Sequence, residues 1–188
     1  MRESGQTSLS PEEWSQWTEL TKKIQFVDGK IPLEAFYAWS ESFYTVAVEL
    51  VPFRLVNGEL EILLINRRDP YFDGYHTPGS ILVPEKDTNE VMADLIVREL
   101  GPKARVKYLQ FAKYYETMKG DGLGQSPRGQ QINLVYTALI EGEVLEGEWF
   151  SKDRLPANII PAFRIMIPEI FNLAKQNFII AALIAFST

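Results

Sequence analysis

The stretch that decides the fold runs from His76 to Arg105 and reads HTPGSILVPEKDTNEVMADLIVRELGPKAR. A Pro-Gly turn lies near its start, and apolar residues from Met92 to Leu100 then recur at the spacing of one helix face. Gly101-Pro102 is expected to end this helix, because proline lacks an amide hydrogen and clashes with the preceding turn. The stretch therefore predicts a turn-rich loop followed by an amphipathic helix with Thr88 as its N-cap.

Alternating apolar and polar residues on both sides of this stretch predict β-strands. Val46–Leu50 alternates in this way, and Asn57-Gly58 is a strong hairpin signal that joins it to a return strand at Leu60–Ile65. After the helix, Val106–Tyr115 and the alternating run that begins at Ile132 read as two further strands. We expect these strands to form one mixed sheet with helices packed on it.

Helices are also predicted at both ends of the chain. A capping box that begins at Ser10 marks a helix start, and residues 1–40 are expected to form an N-terminal helical extension. Residues 41–188 are expected to form the main domain, including one or two C-terminal helices that Pro168 divides or kinks. The apolar run 178–186 has nine residues, far fewer than the ~20 of a membrane-spanning helix. We expect this run to pack in the core or in a dimer contact.

The composition excludes several classes of site. The chain has 188 residues, a formal charge of −6 and scattered basic residues, so we expect no binding to nucleic acid, which needs clustered Lys and Arg. It has no cysteine, which excludes disulfides, thiolate zinc sites and cysteine nucleophiles and fits a cytoplasmic protein. Its single histidine excludes a multi-histidine metal cluster.

The central stretch resembles the box of the Nudix family. Pro78-Gly79 is similar to the Pro-Gly that opens the box, and Arg98-Glu99-Leu100 is similar to its Arg-Glu-aliphatic triplet. Glu90 precedes Arg98 by eight positions, as the first glutamate of the family does, whereas Glu85 keeps the family distance from Gly79. Either alignment places an insertion of five residues within the box.

Two later segments strengthen this resemblance, which extends from about residue 46 to 156. Residues 127–136 are similar to a strand that follows the box helix, and residues 148–156 are similar to a Trp-Phe … Leu-Pro segment of the family. The resemblance implies an α/β (α+β) fold in which helices sandwich a mixed sheet, with an added N-terminal helix and C-terminal helices. It also implies hydrolysis of a nucleotide-linked diphosphate with Mg²⁺ or Mn²⁺ as cofactor.

The box departs from the family pattern where the metal ligands belong. The Glu-Glu pair of the family falls on Pro102 and Lys103, and its glycine falls on Arg105. Mg²⁺ requires several oxygen ligands in a near-octahedral arrangement, so Glu99 alone is thin support for it. Lys103 either places a positive charge near the metal position or points into solvent. Five other acids are candidate substitutes: Glu85, Asp87, Glu90, Asp94 and Glu116.

The resemblance and the local chemistry together give a set of candidate site residues. The candidate catalytic residues are Glu99, Glu90 and Arg98, with Glu99 as the candidate metal ligand. The candidate substrate-binding residues are Arg67, Arg68, His76, Gly79 and Arg128. Each has an ordinary alternative as an exposed charge, a loop residue or a packing residue, and for Arg98 that alternative is holding the loop before the helix through a carboxylate.

Three functions follow from these features, and the sequence leaves open whether the chain is an enzyme. The first is a Nudix-fold protein in which metal-dependent hydrolysis is weakened or lost and a nucleotide-type small molecule is bound in a ligand-binding or regulatory role. The second is an active Mg²⁺- or Mn²⁺-dependent pyrophosphohydrolase that uses substitute carboxylates. The third is a homodimeric interaction module, which the apolar C-terminal run suggests.

Overall fold

A computed structural model describes residues 9–23 and 32–185, with the backbone alone at positions 33, 41–42 and 179–185. It divides into two compact units, 1–36 and 37–188. The described helices are α1 (Pro11–Thr21), α2 (Leu33–Ser42), α3 (Thr88–Leu95), α4 (Pro161–Arg164) and α5 (Met166–Ala185). The described strands are β1 (Thr45–Val56), β2 (Glu59–Arg68), β3 (Asp73–His76), β4 (Gly79–Ile81), β5 (Arg105–Lys119), β6 (Gln125–Ser126), β7 (Gln131–Glu141) and β8 (Glu148–Ser151).

In the first unit, α1 begins with the predicted capping box. The Ser10 side chain accepts a hydrogen bond from the Glu13 amide (3.2 Å), and the Glu13 carboxylate accepts one from the Ser10 amide (2.7 Å). These two bonds satisfy amides that have no partner inside a helix, so they fix where α1 starts. Trp14 and Trp17 lie one turn apart, and their rings contact each other edge to face at 5.4 Å.

The second unit is built on one mixed eight-stranded sheet of the described strands. Its order is β3-β2-β1-β7-β5-β6, with β4 paired to β1 and β8 paired to β2. The long central pair β1 and β7 is parallel, whereas β2 and β4 run antiparallel to β1. Asn57 and Gly58, with φ of 51° and 85°, form the predicted hairpin turn between β1 and β2.

Helices pack on both faces of this sheet, so the predicted α/β sandwich is confirmed. On one face Val51 and Phe53 of β1 are completely buried in a core with Ile167 and Ile170 of α5. On the other face Val48 and Leu50 of β1 pack in a second core with the buried residues of α3, which are Val91, Met92 and Leu95. Alternate residues of β1 thus enter different cores, as the period of two along a strand requires.

The box helix, here defined as residues 88–100, differs from its prediction in three details. Its N-cap is Asp87 rather than Thr88, because the Asp87 carboxylate accepts hydrogen bonds from the amides of residues 89 and 90. After Leu95 the chain continues as a π-helical turn, Ile96–Leu100, before Gly101 ends it. The spacing of Asp94 and Arg98 by four residues predicts an ion pair between them, but this prediction is wrong, because Asp94 binds Lys86 at 2.6 Å and Arg98 binds Glu99.

Two further expectations need correction. The turn-rich connection predicted after β2 contains two short strands, β3 and β4. The C-terminal helices separate at Ile165, and Pro168 lies in the first turn of α5, where the missing amide hydrogen breaks no helical bond. Of the apolar run 178–186, residue 186 and the side chains of residues 179–185 lie outside the described residues. No described helix is long and apolar enough to cross a membrane.

Candidate functional site

The acids of the box helix are engaged with neighbours near in the chain. The Glu90 carboxylate accepts a hydrogen bond from the Asp87 amide at 2.8 Å and so completes a capping box. Glu99 accepts one from the guanidinium of the adjacent Arg98, also at 2.8 Å. These contacts give Glu90 and Glu99, which are two of the candidate catalytic residues, a local structural role. The structure therefore brings Arg98 and Glu99 together as a pair but leaves Glu90 at the opposite end of the helix.

The carboxylates around the box helix do not fit a magnesium centre. Mg²⁺ takes oxygen ligands at near-octahedral positions, usually with more than one carboxylate. Among residues 9–23 and 32–185, however, no three His, Asp or Glu side chains converge in a way that could hold a metal ion. Lys103, at one of the positions where the family has a glutamate, forms an exposed ion pair with Glu143 at 2.6 Å. It therefore points to a surface carboxylate and not toward Glu99.

A second group of charged residues lies on another part of the sheet. We call it the arginine cluster, and its members are Glu49, Arg67, Asp69, His76 and Arg128. These residues lie within electrostatic reach of one another, because Arg67 and Arg128 each influence the titration of both Glu49 and His76. They come from β1, the end of β2, the following turn, β3 and the loop before β7. The sheet topology thus collects side chains that are far apart in the sequence.

Glu49 is the deepest member of the arginine cluster, with only 4% of its surface exposed. It pairs across the sheet with Gly79 of β4. A β-carbon at position 79 would lie 2.5 Å from Oε2 and 2.6 Å from Oε1 of Glu49, closer than a carbon atom can approach. Thr77, which is also completely buried, donates a hydrogen bond to Oε2 at 3.0 Å. The glycine that opens the box is therefore required here to make room for a buried carboxyl group.

The environment of Glu49 favours its neutral form at neutral pH. Burial raises the pKa of Glu49 to about 8, because the charged form loses its hydration. The Thr77 hydroxyl and the charges of Arg67 and Arg128 lower this pKa, but they offset only part of the effect of burial. Glu49 is therefore mainly a carboxylic acid at pH 7 and can donate as well as accept a hydrogen bond.

The two arginines converge on one aromatic ring. The guanidinium carbons of Arg67 and Arg128 lie 5.2 Å and 5.4 Å from the centre of the Phe72 ring. Asp69 binds Arg67 at 2.6 Å and also accepts the amides of Tyr71 and Phe72, which fixes the turn that carries the ring. Burial lowers the pKa of Arg128, and the positive charge of Arg67 lowers it further. Guanidinium groups bind phosphate and carboxylate through paired hydrogen bonds, so this part of the sheet carries two candidate anion-binding side chains.

His76 completes the arginine cluster as a neutral imidazole. Burial lowers its pKa to about 4, and the charges of Arg67 and Arg128 add to this effect. Its ring lies 5.8 Å from that of Phe163 in α4. At neutral pH His76 therefore adds no charge to the cluster. One of its ring nitrogens can donate a hydrogen bond, and the other can accept one.

The structure groups the predicted substrate-binding residues unevenly. Arg67, His76 and Arg128 lie together in the arginine cluster, and Gly79 contacts it through Glu49. Arg68 is exposed, because alternation along β2 turns it away from the side occupied by Arg67. Sequence reasoning missed Glu49 and Asp69. A sign of Glu49 was present, since it is a lone acid in the otherwise uncharged run from Val46 to Phe53, which is typical of a strand covered on both faces.

Comparison with solved structures places this architecture among several known proteins. A possible asymmetric diadenosine tetraphosphate hydrolase from Jonesia denitrificans aligns with a TM-score of 0.59 at 16% identity, over 72% of this chain and 97% of that one. The NUDIX domain of Shewanella oneidensis NrtR, complexed with ADP ribose, aligns with a TM-score of 0.53 at 14% identity, over 78% and 99%. A MutT NUDIX hydrolase from Burkholderia pseudomallei gives 0.50 at 23% identity, over 65% and 95%.

Comparison of the whole sequence does not detect these similarities. No protein-family model matches the chain, and a search of curated proteins found no match either. Identities of this size establish a shared fold and no more than a fold.

Proposed function

Because the chain has the Nudix fold, as its sequence predicted, we propose that it binds a nucleotide-linked diphosphate at the arginine cluster and has weak or no metal-dependent hydrolysis. The fold by itself does not determine an activity, so this proposal depends on the side chains of the site.

The observation that carries the proposal is the contrast between Glu99 and the arginine cluster. Magnesium-dependent hydrolysis needs a metal that neutralises the diphosphate and activates a water molecule. Glu99 is engaged by Arg98, and the described residues offer no set of carboxylates around it. The residues present do not fit the cofactor, so we assign them no metal-dependent step.

The arginine cluster supplies the chemistry for binding. A diphosphate carries negative oxygens that guanidinium groups recognise through paired, charge-assisted hydrogen bonds. The side chain of Arg67 is 34% exposed, so a ligand can reach it from solvent even though Glu49 is buried. The guanidinium carbons of both arginines lie over the Phe72 ring, 5.2 Å and 5.4 Å from its centre, so one aromatic ring helps to position both groups.

ADP-ribose is the first ligand to test. The NUDIX domain of NrtR, which shares this fold, was crystallised with it, and it contains the diphosphate that the arginine cluster would bind. We expect calorimetry on the full chain to show binding of ADP-ribose without Mg²⁺. Replacing one guanidinium by an uncharged group, in Arg67→Gln or Arg128→Gln, is expected to weaken binding about tenfold to a hundredfold, since each charged hydrogen bond is worth about 1.5–3 kcal/mol.

Arg68→Gln is the matched control, because Arg68 is adjacent in sequence but exposed and outside the cluster. It is expected to change the affinity by less than about twofold. Equal losses in Arg67→Gln and Arg68→Gln would mean that the surface charge of the strand end matters and not the cluster. Release of AMP in the presence of Mg²⁺ at an ordinary enzymatic rate, about 1 s⁻¹ or more, would contradict the proposed loss of hydrolysis.

A further inference from the structure

We propose that Glu49 determines which state of the arginine cluster accepts an anion: the ligand binds while the Glu49 carboxyl group carries a proton, so binding is accompanied by proton uptake. This inference rests on the proposed function, because it concerns the same cluster. It adds a residue that lies outside the box, Glu49, and a ligand class, namely phosphoryl anions of fixed charge.

The geometry around Glu49 limits what its carboxyl group can do. Gly79 lies against both of its oxygens, and Thr77 donates to one of them, so the group is held in place by buried neighbours. Only 4% of Glu49 is exposed, so water does not screen its charge effectively. A change in the protonation of Glu49 is therefore felt by the nearby guanidinium groups at close to full strength.

The charged and titratable groups around Glu49 come from several elements. Arg67 extends from β2 and Arg128 from the loop before β7, and both act on Glu49 electrostatically. His76 of β3 and Asp69 of the preceding turn face the same two arginines, and Tyr37 of α2 acts on Arg128. Burial raises the pKa of Glu49 to about 8, whereas burial lowers the pKa of His76 to about 4.

The positive electrostatic potential at the arginine cluster differs between the two protonation states of Glu49. An ionised Glu49 would compete with an incoming anion for Arg67 and Arg128, and it would repel that anion directly. A protonated Glu49 does neither, and its acidic hydrogen can be donated to a ligand oxygen. By reciprocity, a bound anion favours the protonated form, so binding and proton uptake are linked.

Inorganic sulfate is the probe for this linkage, because its charge does not change across the pH range used. Calorimetry on the full chain is expected to show sulfate affinity about tenfold weaker at pH ~9 than at pH ~7, because the protonated fraction of a group with a pKa near 8 falls about tenfold between them. At pH ~8 the heat of binding is expected to vary with the ionisation enthalpy of the buffer, which reports proton uptake.

Two variants separate Glu49 from other groups. Glu49→Gln is permanently neutral, so it is expected to bind sulfate equally at both pH values, within about twofold, and without proton uptake. Thr77→Val removes the hydrogen bond that favours the ionised form, so the fall in affinity is expected to move to higher pH. It also tests the inference independently if Glu49→Gln does not fold. The matched control Glu143→Gln removes an exposed acid and is expected to keep the wild-type profile.

The inference is wrong if wild-type affinity for sulfate is the same at both pH values, if sulfate does not bind at all, or if Glu49→Gln keeps the wild-type fall. It is also wrong if Thr77→Val leaves the midpoint of the fall unchanged. Binding of ADP-ribose distinguishes these failures from failure of the proposed function. If both ligands bind with an affinity that does not depend on pH, the proposed proton linkage is wrong and the proposed function is not affected. If sulfate binding is accompanied by proton uptake but ADP-ribose does not bind, the proposed ligand is wrong and the proton linkage is supported.

Discussion

The box helix and the arginine cluster hold their charges in opposite ways. On the box helix the charged side chains are exposed or half-exposed and bind partners close at hand, as in the pairs Lys86–Asp94 and Arg98–Glu99. In the arginine cluster Glu49 is buried within electrostatic reach of Arg67 and Arg128, and the Thr77 hydroxyl and the missing side chain at Gly79 accommodate its carboxyl group.

The difference supports the proposal that the arginine cluster, and not the box helix, binds the ligand. Exposed ion pairs contribute at most about 1 kcal/mol, so a helix carrying them tolerates many changes of charge. Burying ionisable groups without full compensation lowers stability by several kcal/mol. A fold that keeps such groups together is therefore organised around them, whereas the box helix carries ordinary surface charges.

The largest expected effect is on the pH dependence of stability between pH 4.5 and about 8, through Glu49. The folded pKa of about 8 lies above the usual value of 4.5, so the folded state binds the extra proton between these two values. The contribution of Glu49 to stability is thus fully present below pH 4.5 and is lost as pH rises to about 8, at on the order of 1 kcal/mol per pH unit. Glu49→Gln should remove this dependence, as measured by urea unfolding at a series of pH values.

The same substitution on the box helix is the control. Glu99→Gln changes a partly exposed acid that is paired with the neighbouring Arg98, so the pH dependence of unfolding should match that of the wild type. Equal pH profiles for Glu49→Gln and wild type would contradict the assignment of a buried neutral acid to Glu49.

Gly79→Ala should give the next largest effect. The new methyl group would lie about 2.5 Å from the Glu49 carboxyl oxygens, which must move or distort the strand pair. Overpacking of this kind destabilises by about 1–3 kcal/mol, which thermal or urea unfolding resolves. In the background of Glu49→Ala, the change Gly79→Ala should lower the free energy of unfolding much less. The difference between the two losses measures the contact between residues 49 and 79.

Gly122→Ala is the matched control, because the nearest atoms to its new methyl group belong to the end of the flexible Gln125 side chain. We expect it to lower stability by less than about 1 kcal/mol. Additive effects of Gly79→Ala and Glu49→Ala would show that the glycine does not serve to accommodate the carboxyl group.

The smallest expected effect is that of Glu99→Gln on ligand binding. Because Glu99 is paired with Arg98 on the box helix and lies outside the arginine cluster, ADP-ribose affinity should stay within about twofold of wild type. Calorimetry in the presence and absence of Mg²⁺ measures it. An affinity that Mg²⁺ raises in the wild type, and that Glu99→Gln abolishes, would mean that metal and ligand meet at the box.

Local patterns in the sequence predicted most of the fold. The capping box at Ser10, the hairpin at Asn57-Gly58 and the strands β1 and β7 depend on neighbours in the chain, and all three are confirmed. The alternation of β1 predicts a strand buried on one face, and this was wrong, because β1 is buried on both faces. The π-helical turn at Ile96–Leu100 was not predicted, because its hydrogen-bond spacing leaves no trace in apolar periodicity. The short strands β3 and β4 were missed because only their pairing partners stabilise them.

The candidate site was predicted less completely, for a different reason. Arg67, His76 and Arg128 could be proposed one by one, but their convergence depends on how β2, β3 and the loop before β7 meet. The role of Glu49 depends on burial between two sheet partners, which alternation alone does not reveal. Long-range pairing therefore decides the chemistry that local patterns leave open.

The central claim is that this Nudix fold binds a diphosphate ligand without metal-dependent cleavage, and ³¹P NMR of ADP-ribose with the full chain and Mg²⁺ tests it most directly. Both diphosphate resonances should shift or broaden on binding, and no monophosphate signal should grow during incubation. A growing AMP signal that Glu99→Gln eliminates would contradict the account, because it would show that the box helix still assembles a working metal site.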